Sequence, residues 1–367
     1  MILCENGPEG RPARFDGARG LVVAWEAAEV LPALAALDAA RADGAWVAGY
    51  IGYEAGYAFE PRLLPLLPGG RCGPLLAFGL YDTPLSFGMP QATGGMSAPD
   101  PMIARADYDA AFARVAGYIA AGDCYQINLT FPMRARLTGS ALGLYASLRA
   151  RQAVGFGGYA DLGVGPVVIT RSPELFFRVG ASGQIEARPM KGTAPRDPDP
   201  GQDAAIFAAL FESEKARAEN LMIVDLLRND IARISQIGSV TVPELYSMET
   251  FATLHQMSSR VQGQLVQAPA MARLMPALFP CGSVTGAPKI RAMEIIREVE
   301  PTPRGAYCGT FGWMAPDGQA VFNVTIRTLS VWGEDIVMNV GGGVVQDSTA
   351  QGEWEEALWK ARFAMLT

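Results

Sequence analysis

The sequence predicts a mixed, largely antiparallel α/β fold. Short runs of alternating apolar residues are grouped before and after a middle stretch whose apolar residues recur at helical spacing. Half of the 367 residues are hydrophobic and 18% are charged, which fits a protein with a substantial core. The length exceeds one average domain, yet a single large α/β domain accommodates it. No internal repeat is present.

Two Pro/Gly-rich stretches, residues 63–74 and 84–101, punctuate the N-terminal part, and the second reads as a long connection to the rest. Beyond it, Asp107 is placed to cap a helix with Phe112, Val115, Ala116 and Ile119 at helical spacing, ending near Gly122. Tyr125, Ile127, Leu129, Phe131 and Met133 then alternate, predicting a strand with these side chains on one face. Further strands are expected over 167–170, 175–179, 184–188, 320–329 and 335–340. Helices are expected over 203–211, 214–228, 268–278, 288–298 and 352–365.

Composition excludes several functions. A net charge of −7 argues against a nucleic-acid-binding face, which must displace counterions from phosphate. It leaves small anionic ligands open, because one local cation reverses the field in a pocket. The five cysteines are scattered, with no C-x-x-C pair, as in reduced thiols of a cytoplasmic protein. Residues 1–20 show no apolar signal-peptide core, and the run 21–48 is broken by Glu26, Glu29, Asp38, Arg41 and Asp43, so no membrane span is expected. His255 is the single histidine. Multi-histidine metal sites are therefore impossible, and no G-x-S-x-G elbow accompanies a possible triad base, so acid–base chemistry falls to Asp, Glu and Lys.

Four segments carry candidate chemistry. In residues 172–196 (SPELFFRVGASGQIEARPMKGTAPR), Glu174 opens one strand and Lys191 follows the next, so a hairpin brings them together. A buried lysine loses its proton readily and becomes a nucleophile beside a carboxylic acid, although spacing alone favours a surface ion pair. Gly192 and Thr193 allow close approach of a ligand or form a plain turn. In residues 213–234 a helix carries an apolar stripe of Leu221, Ile223, Val224, Leu227 and Ile231 and has Glu219 early, which by itself reads as a solvated or ion-paired residue; Arg228, Asn229 and Asp230 read as structural. In GEWEEALWKARF, Glu353, Glu356 and Lys360 share one helix face, either as a surface ion pair or as carboxylate ligands for a hard cation such as Mg²⁺, with Glu219 completing the set. Finally, Ser283, Thr285 and Gly286 precede a helix predicted to start at Pro288, a place where backbone N–H groups favour an anion. Arg327, expected within a strand, is suited to bidentate carboxylate recognition. The glycines of 341–344 follow a strand and resemble a backbone-donor loop, but match neither G-x-G-x-x-G nor a Walker A sequence, so nucleotide binding has no support. Taken singly, each of these fits a structural role.

Together they form a pattern. D-C-Y-Q-I-N, S-P-E-L-F, P-M-K-G-T-A-P-R, A-E-N-L-M-I-V-D-L-L-R-N-D, T-G-A-P-K-I-R-A-M-E-I-I, Y-C-G-T-F-G, I-R-T-L, G-G-G-V-V and E-E-A-L-W-K-A-R follow one another in that order. This series resembles the chorismate-utilising enzymes, which include anthranilate synthase component I, aminodeoxychorismate synthase component I, isochorismate synthase and salicylate synthase. The resemblance is strong over 104–363, with G-Y-I-G-Y-E-A-G-Y-A-F-E-P the familiar stretch before it. Two positions discriminate within the family. Gln126 stands where water-adding members carry a lysine, and Lys191 stands where anthranilate synthases usually carry alanine and aminodeoxychorismate synthases carry lysine. The resemblance therefore implies amination of chorismate at C4, to 4-amino-4-deoxychorismate, on the route to 4-aminobenzoate and folate.

The resemblance also implies one large α/β domain of two packed antiparallel sheets flanked by helices, as in anthranilate synthase component I. Residues 1–103 would be an N-terminal subregion of the same fold ending in the Pro/Gly-rich connection, and 104–367 the chorismate-binding catalytic region. Lys191 would attack C2 as Glu174 protonates the departing 4-hydroxyl, and ammonia would then displace the lysine at C4. Glu219, Glu356 and, through water, Glu353 would hold Mg²⁺ on the ring carboxylate. Tyr307 and Arg327 would hold the enolpyruvyl carboxylate. Gln126, Gly192, Thr193, Thr285, Gly341 and Gly343 would line the pocket, Lys360 would support the anionic end, and His255 falls where the family has a histidine near the ring. No glutaminase nucleophile elbow can be assembled from this chain, so ammonia would come from a glutamine amidotransferase subunit or from solution. Relatives often carry Asp or Glu at the position of Ala216, and no segment matches the tryptophan-feedback region of anthranilate synthases. The alternatives are an anthranilate synthase component I and a non-catalytic chorismate-binding scaffold subunit.

Overall fold

In the computed structural model, which describes residues 1–88, 90–250 and 254–365, the alternating apolar runs pair into two sheets of ten strands each. The strands named here pair antiparallel throughout. The first sheet runs Gly286–Ala287, Gln126–Thr138, Asp335–Val344, Thr328–Trp332, Val167–Ser172, Phe156–Ala160, Ile2–Cys4, Ala13–Phe15, with Gly95–Met96 and Asp100–Pro101 also on Gln126–Thr138. The second runs Met190–Pro195, Leu254–Gln264, Gln184–Arg188, Leu175–Val179, Ala320–Val324, Thr310–Met314, Trp46–Ile51, Leu76–Tyr81, Gly20–Ala24, with Thr241–Thr250 also on Leu254–Gln264. Strands from before residue 104 join both sheets: Ile2–Cys4 pairs with Phe156–Ala160, and Trp46–Ile51 with Thr310–Met314.

The sheets pack face to face through large side chains. Phe15 of the first meets Tyr81 and Trp46 of the second with ring centroids 5.5 and 6.3 Å apart, and Ile2, Val168, Tyr50, Phe311 and Trp313 share that cluster. The helices are α1 (Ala27–Ala42), α2 (Arg105–Ala120), α3 (Ala141–Arg151), α4 (Pro200–Glu212), α5 (Glu214–Ala232), α6 (Met271–Leu278), α7 (Lys289–Val299) and α8 (Ala350–Ala361). Ser213 and Thr349 cap α5 and α8, their hydroxyls accepting from Ala216 N and Gly352 N at 3.2 Å each. No helix among the described residues is long and apolar enough to cross a membrane.

Several expectations are corrected. Asp107 is not a cap: α2 begins at Arg105 behind Ala104, and Asp107 lies in the first turn, where a carboxylate suits the helix dipole. Ile127, Leu129, Phe131 and Met133 are buried as expected, but Tyr125 precedes the strand and is 68% exposed. The predicted strand 320–329 is two strands. Between them Arg327 adopts a φ of 50°, and there the chain leaves the second sheet for the first. The glycines of 341–344 form no loop; they complete the strand Asp335–Val344, with Gly341 opposite Thr130 and Gly343 opposite Asn128. Pro288 is the N-cap of α7, which starts one residue later than expected.

Candidate active site

Lys191 follows the strand Gln184–Arg188 as expected, but it lies in a further short strand, Met190–Pro195, rather than in a loop. Met190 pairs with Ser258 and Thr193 with Gln256, so this edge strand carries one extra residue, and Gly192 takes a φ of 85° there. A bulge of this kind re-aims a side chain, and Gly192 adopts the required backbone without a Cβ penalty. Lys191 thereby lines a cavity of about 570 Å³ together with Glu174, which sits immediately before the strand Leu175–Val179 of the same sheet, with two strands between. Arg327 reaches the same cavity from the break between sheets, and Tyr307 joins it from the second sheet's approach to Thr310–Met314.

The opposite wall belongs to the first sheet and to two helices. Gly341 and Gly343 contribute backbone, α5 contributes Glu219, and α8 contributes Glu353, Glu356 and Lys360. The glycines matter because side chains press on them. A Cβ on Gly342 would lie 2.6 Å from Glu353 Oε2, and one on Gly343 would lie 3.0 Å from the Gln126 amide and 3.3 Å from Lys191 Nζ. Gly192 and Thr193 also line the cavity; the Thr193 hydroxyl donates to Gln256 Oε1 at 2.9 Å.

Electrostatics separate the acid from the amine. Burial pushes the Glu174 carboxyl from an ordinary 4.5 up to about 7, against the opposing pull of the Ser283 hydrogen bond, Lys191 and Arg327. Burial also lowers the basicity of Lys191, and Lys360 adds to this, while Glu219, Glu174 and Glu356 oppose it. A carboxyl that holds its proton near neutrality beside an amine that loses its proton readily is an acid–nucleophile pair. Tyr307 is buried, and burial holds its hydroxyl well above the ordinary range, so it remains a neutral donor.

Glu219, Glu353 and Glu356 offer the oxygen donors that a hard cation takes. Among the described residues, however, no three acidic, His or Cys side chains gather into a metal-holding group. Lys360 pairs with Glu356 at 2.7 Å and also donates to Gly341 O at 3.0 Å, Lys215 stands 3.9 Å from Glu219, and the Ser348 hydroxyl donates to Glu353 at 2.6 Å. Burial opposes ionisation of Glu356, but Lys360, Lys191 and Lys215 outweigh it and bring the carboxyl below its ordinary value; burial raises Glu353. The carboxylates therefore suit Mg²⁺ in kind, with lysines beside them in this arrangement.

Three predicted residues stand behind the cavity wall. Thr285 is fully buried and its hydroxyl donates to Cys281 O at 2.9 Å. His255 is buried with Nε2 2.9 Å from Asp203 Oδ1 and Nδ1 3.0 Å from Thr250 Oγ1, so both ring nitrogens are engaged away from the cavity. Gln126 is fully buried, with neither amide atom hydrogen-bonded among the described residues. Sequence reasoning missed Asn128, Asn339, Lys215 and Gln256, which also line the cavity. Ala216 lines it as well, so a small apolar side chain occupies that part of the wall.

A family model described as chorismate binding enzyme matches residues 89–366, which include every one of these site residues. The chain belongs to the chorismate-binding enzyme family. Within that family, a Klebsiella aerogenes protein named aminodeoxychorismate synthase component 1 is 42% identical over 258 residues, covering 70% of this chain and 57% of that protein. A Streptomyces coelicolor anthranilate synthase component 1 is 40% identical over 270 residues, 72% of this chain and 52% of that protein. The matched stretch thus spans little more than half the length of these curated relatives. A crystal structure of a Bacillus anthracis protein described as a putative 2,3-dihydroxybenzoate-specific isochorismate synthase superposes with a TM-score of 0.80 over 99% of this chain and 94% of that one at 20% identity, which shows a common fold.

Proposed function

We propose that this chain is the chorismate-converting component of an aminodeoxychorismate synthase, an amino-group transferase that forms 4-amino-4-deoxychorismate on the route to 4-aminobenzoate and folate. The observation that carries the reading is Lys191: a lysine whose basicity burial lowers shares one cavity with Glu174, whose carboxyl sits at about 7. Both are the residues that the family resemblance assigns to this chemistry.

In this reading the Lys191 amine forms a bond to C2 of chorismate, the ring double bond shifts, and the C4–O bond breaks. Glu174 gives its proton to the departing hydroxyl, which leaves as water. Ammonia then bonds to C4, the double bond shifts back, and the C2–N bond to Lys191 breaks. Splitting one displacement into two lowers each barrier. Arg327 and Tyr307 hold the enolpyruvyl carboxylate, the guanidinium by paired hydrogen bonds. Gly341 and Gly343 let the ring approach backbone, and Lys360 supports the anionic end. Mg²⁺, held by Glu219, Glu356 and Glu353, would offset the charge of the ring carboxylate. Ammonia comes from a glutamine amidotransferase subunit, and the protein works in the cytoplasm.

The test is a product assay. Purified protein is incubated with chorismate, Mg²⁺ and an ammonium salt at mildly alkaline pH, beside a Lys191→Ala variant, and products are resolved by mass spectrometry. Aminodeoxychorismate from the wild type and its loss in the variant are expected. Anthranilate would overturn amination at C4 in favour of the anthranilate synthase reading, and bound chorismate without product, with the amidotransferase subunit present, would leave a binding subunit.

A further inference from the structure

We infer that Ser283 is a positioning residue for the acid: its hydroxyl occupies Oε1 of Glu174, so the proton that Glu174 transfers is carried on Oε2. This inference rests on the acid role proposed above for Glu174. Residues 282–284 form a short turn next to α7, where the sequence suggests backbone anion binding. The structure instead aims the Ser283 side chain at Glu174, with Oγ donating to Oε1 at 2.7 Å. Both residues are buried, Ser283 4% and Glu174 5% exposed, so water does not compete freely for either oxygen.

The hydroxyl has little freedom to turn away. Cys281 Sγ lies 3.2 Å from Ser283 Oγ. The serine's single proton goes to Glu174, so the thiol is the donor in that second contact, and burial holds the thiol protonated by pushing it up to about 12. The main chain on both sides is anchored. Arg304 donates to Val284 O at 2.9 Å and to Asn128 O at 2.6 Å, tying the turn to the first sheet. Glu174 N donates to Ser172 Oγ at 3.1 Å, and Glu174 O accepts from Val324 N at 3.1 Å. The charged groups acting on the carboxyl are Lys191 from the edge strand and Arg327 from the break between sheets. A donor fixed on one oxygen favours the ionised form, so it limits how far burial and neighbours raise the acid, and it leaves a single oxygen for the transferable proton.

The test compares wild type, Ser283→Ala and Ser283→Thr. In substrate-free protein labelled with ¹³C at glutamate carboxyls, and with Glu174→Gln to assign the resonance, the Glu174 midpoint should rise by about one pH unit in the alanine variant. It should return towards the wild-type value in the threonine variant. In turnover of chorismate with ammonium, the ratio of alanine-variant to wild-type kcat should climb up to about tenfold as pH rises past the wild-type midpoint, because the wild-type acid loses its proton first. Ammonia supply is the same for both proteins and cancels in the ratio. An unmoved midpoint with a flat ratio would overturn the inference and leave Ser283 a packing residue. If the wild type makes no product, the acid role of Glu174 fails while the titration still decides whether Ser283 governs that carboxyl. Should the alanine variant not fold, Ser283→Cys, a weaker donor, replaces it with a smaller upward shift, and no shift there is equally fatal.

Discussion

Replacing Glu174 by Gln should stabilise the substrate-free protein at alkaline pH while abolishing product formation. The carboxyl binds its proton with a value of about 7 when folded and 4.5 when ordinarily solvated. The folded state therefore holds more proton than the unfolded state between these values, and stability falls as pH rises through them. The ionisation penalty is essentially absent below the unfolded value and complete above the folded one, where it amounts to about 3 kcal/mol. About 2.5 kcal/mol of it develops between pH 5 and pH 8. Glutamine stays neutral throughout and still accepts the Ser283 hydrogen bond through its own carbonyl oxygen. Urea unfolding followed by tryptophan fluorescence, in steps across that pH range, gives the stability of each protein. The stability difference, variant minus wild type, should widen by about 2.5 kcal/mol from the acid to the alkaline end. A difference that stays constant would mean that the carboxyl ionises normally, and one that narrows would mean that Lys191 and Arg327 outweigh burial. Either result would remove the reason to regard Glu174 as a proton donor near neutrality.

Two further substitutions probe the frame around the pair. Gly343→Ala places a methyl 3.0 Å from the Gln126 amide and 3.3 Å from Lys191 Nζ, so steady-state turnover should drop about ten- to hundredfold while the thermal midpoint moves little. Arg304→Met leaves Glu300, its partner at 2.6 Å, buried without a counter-charge, and chemical denaturation should show a loss of about 3–5 kcal/mol.

Local periodicity made much of the fold legible. The strands Leu175–Val179 and Gln184–Arg188 match the alternation at both ends, and α5 begins at the expected Glu214 behind its serine cap. What stayed hidden depends on partners distant in sequence. Alternation runs on through Arg327, yet the chain turns there, because the two halves of that run serve different sheets. Glycines read as a loop at 341–344 because they weaken isolated strands, but there they are held by the long strand Gln126–Thr138. Spacing and residue type suggest the pairing of Glu174 with Lys191 and of Glu219 with Glu356, but the ordered family motifs are needed to prefer one shared site over surface ion pairs. The contact of Ser283 with Glu174, 109 residues away, leaves no periodic trace. His255 is drawn off the cavity wall by Asp203 and Thr250, a pairing that the spacing of the three residues does not announce.

The break at Arg327 makes the cavity a gap between two plates. Glu174 and Lys191 ride on the second sheet, while Gly341, Gly343 and Asn128 ride on the first. Away from the cavity, side chains that do not line it fill the space between the plates, among them Phe15, Trp46 and Tyr81. A thinner or thicker side chain there would slide the amine and the acid relative to the glycine wall together, and Arg327, at the hinge between the plates, would swing with them. The N-terminal strands that supply those side chains thus bear on the spacing of the site, however few of its residues they contribute.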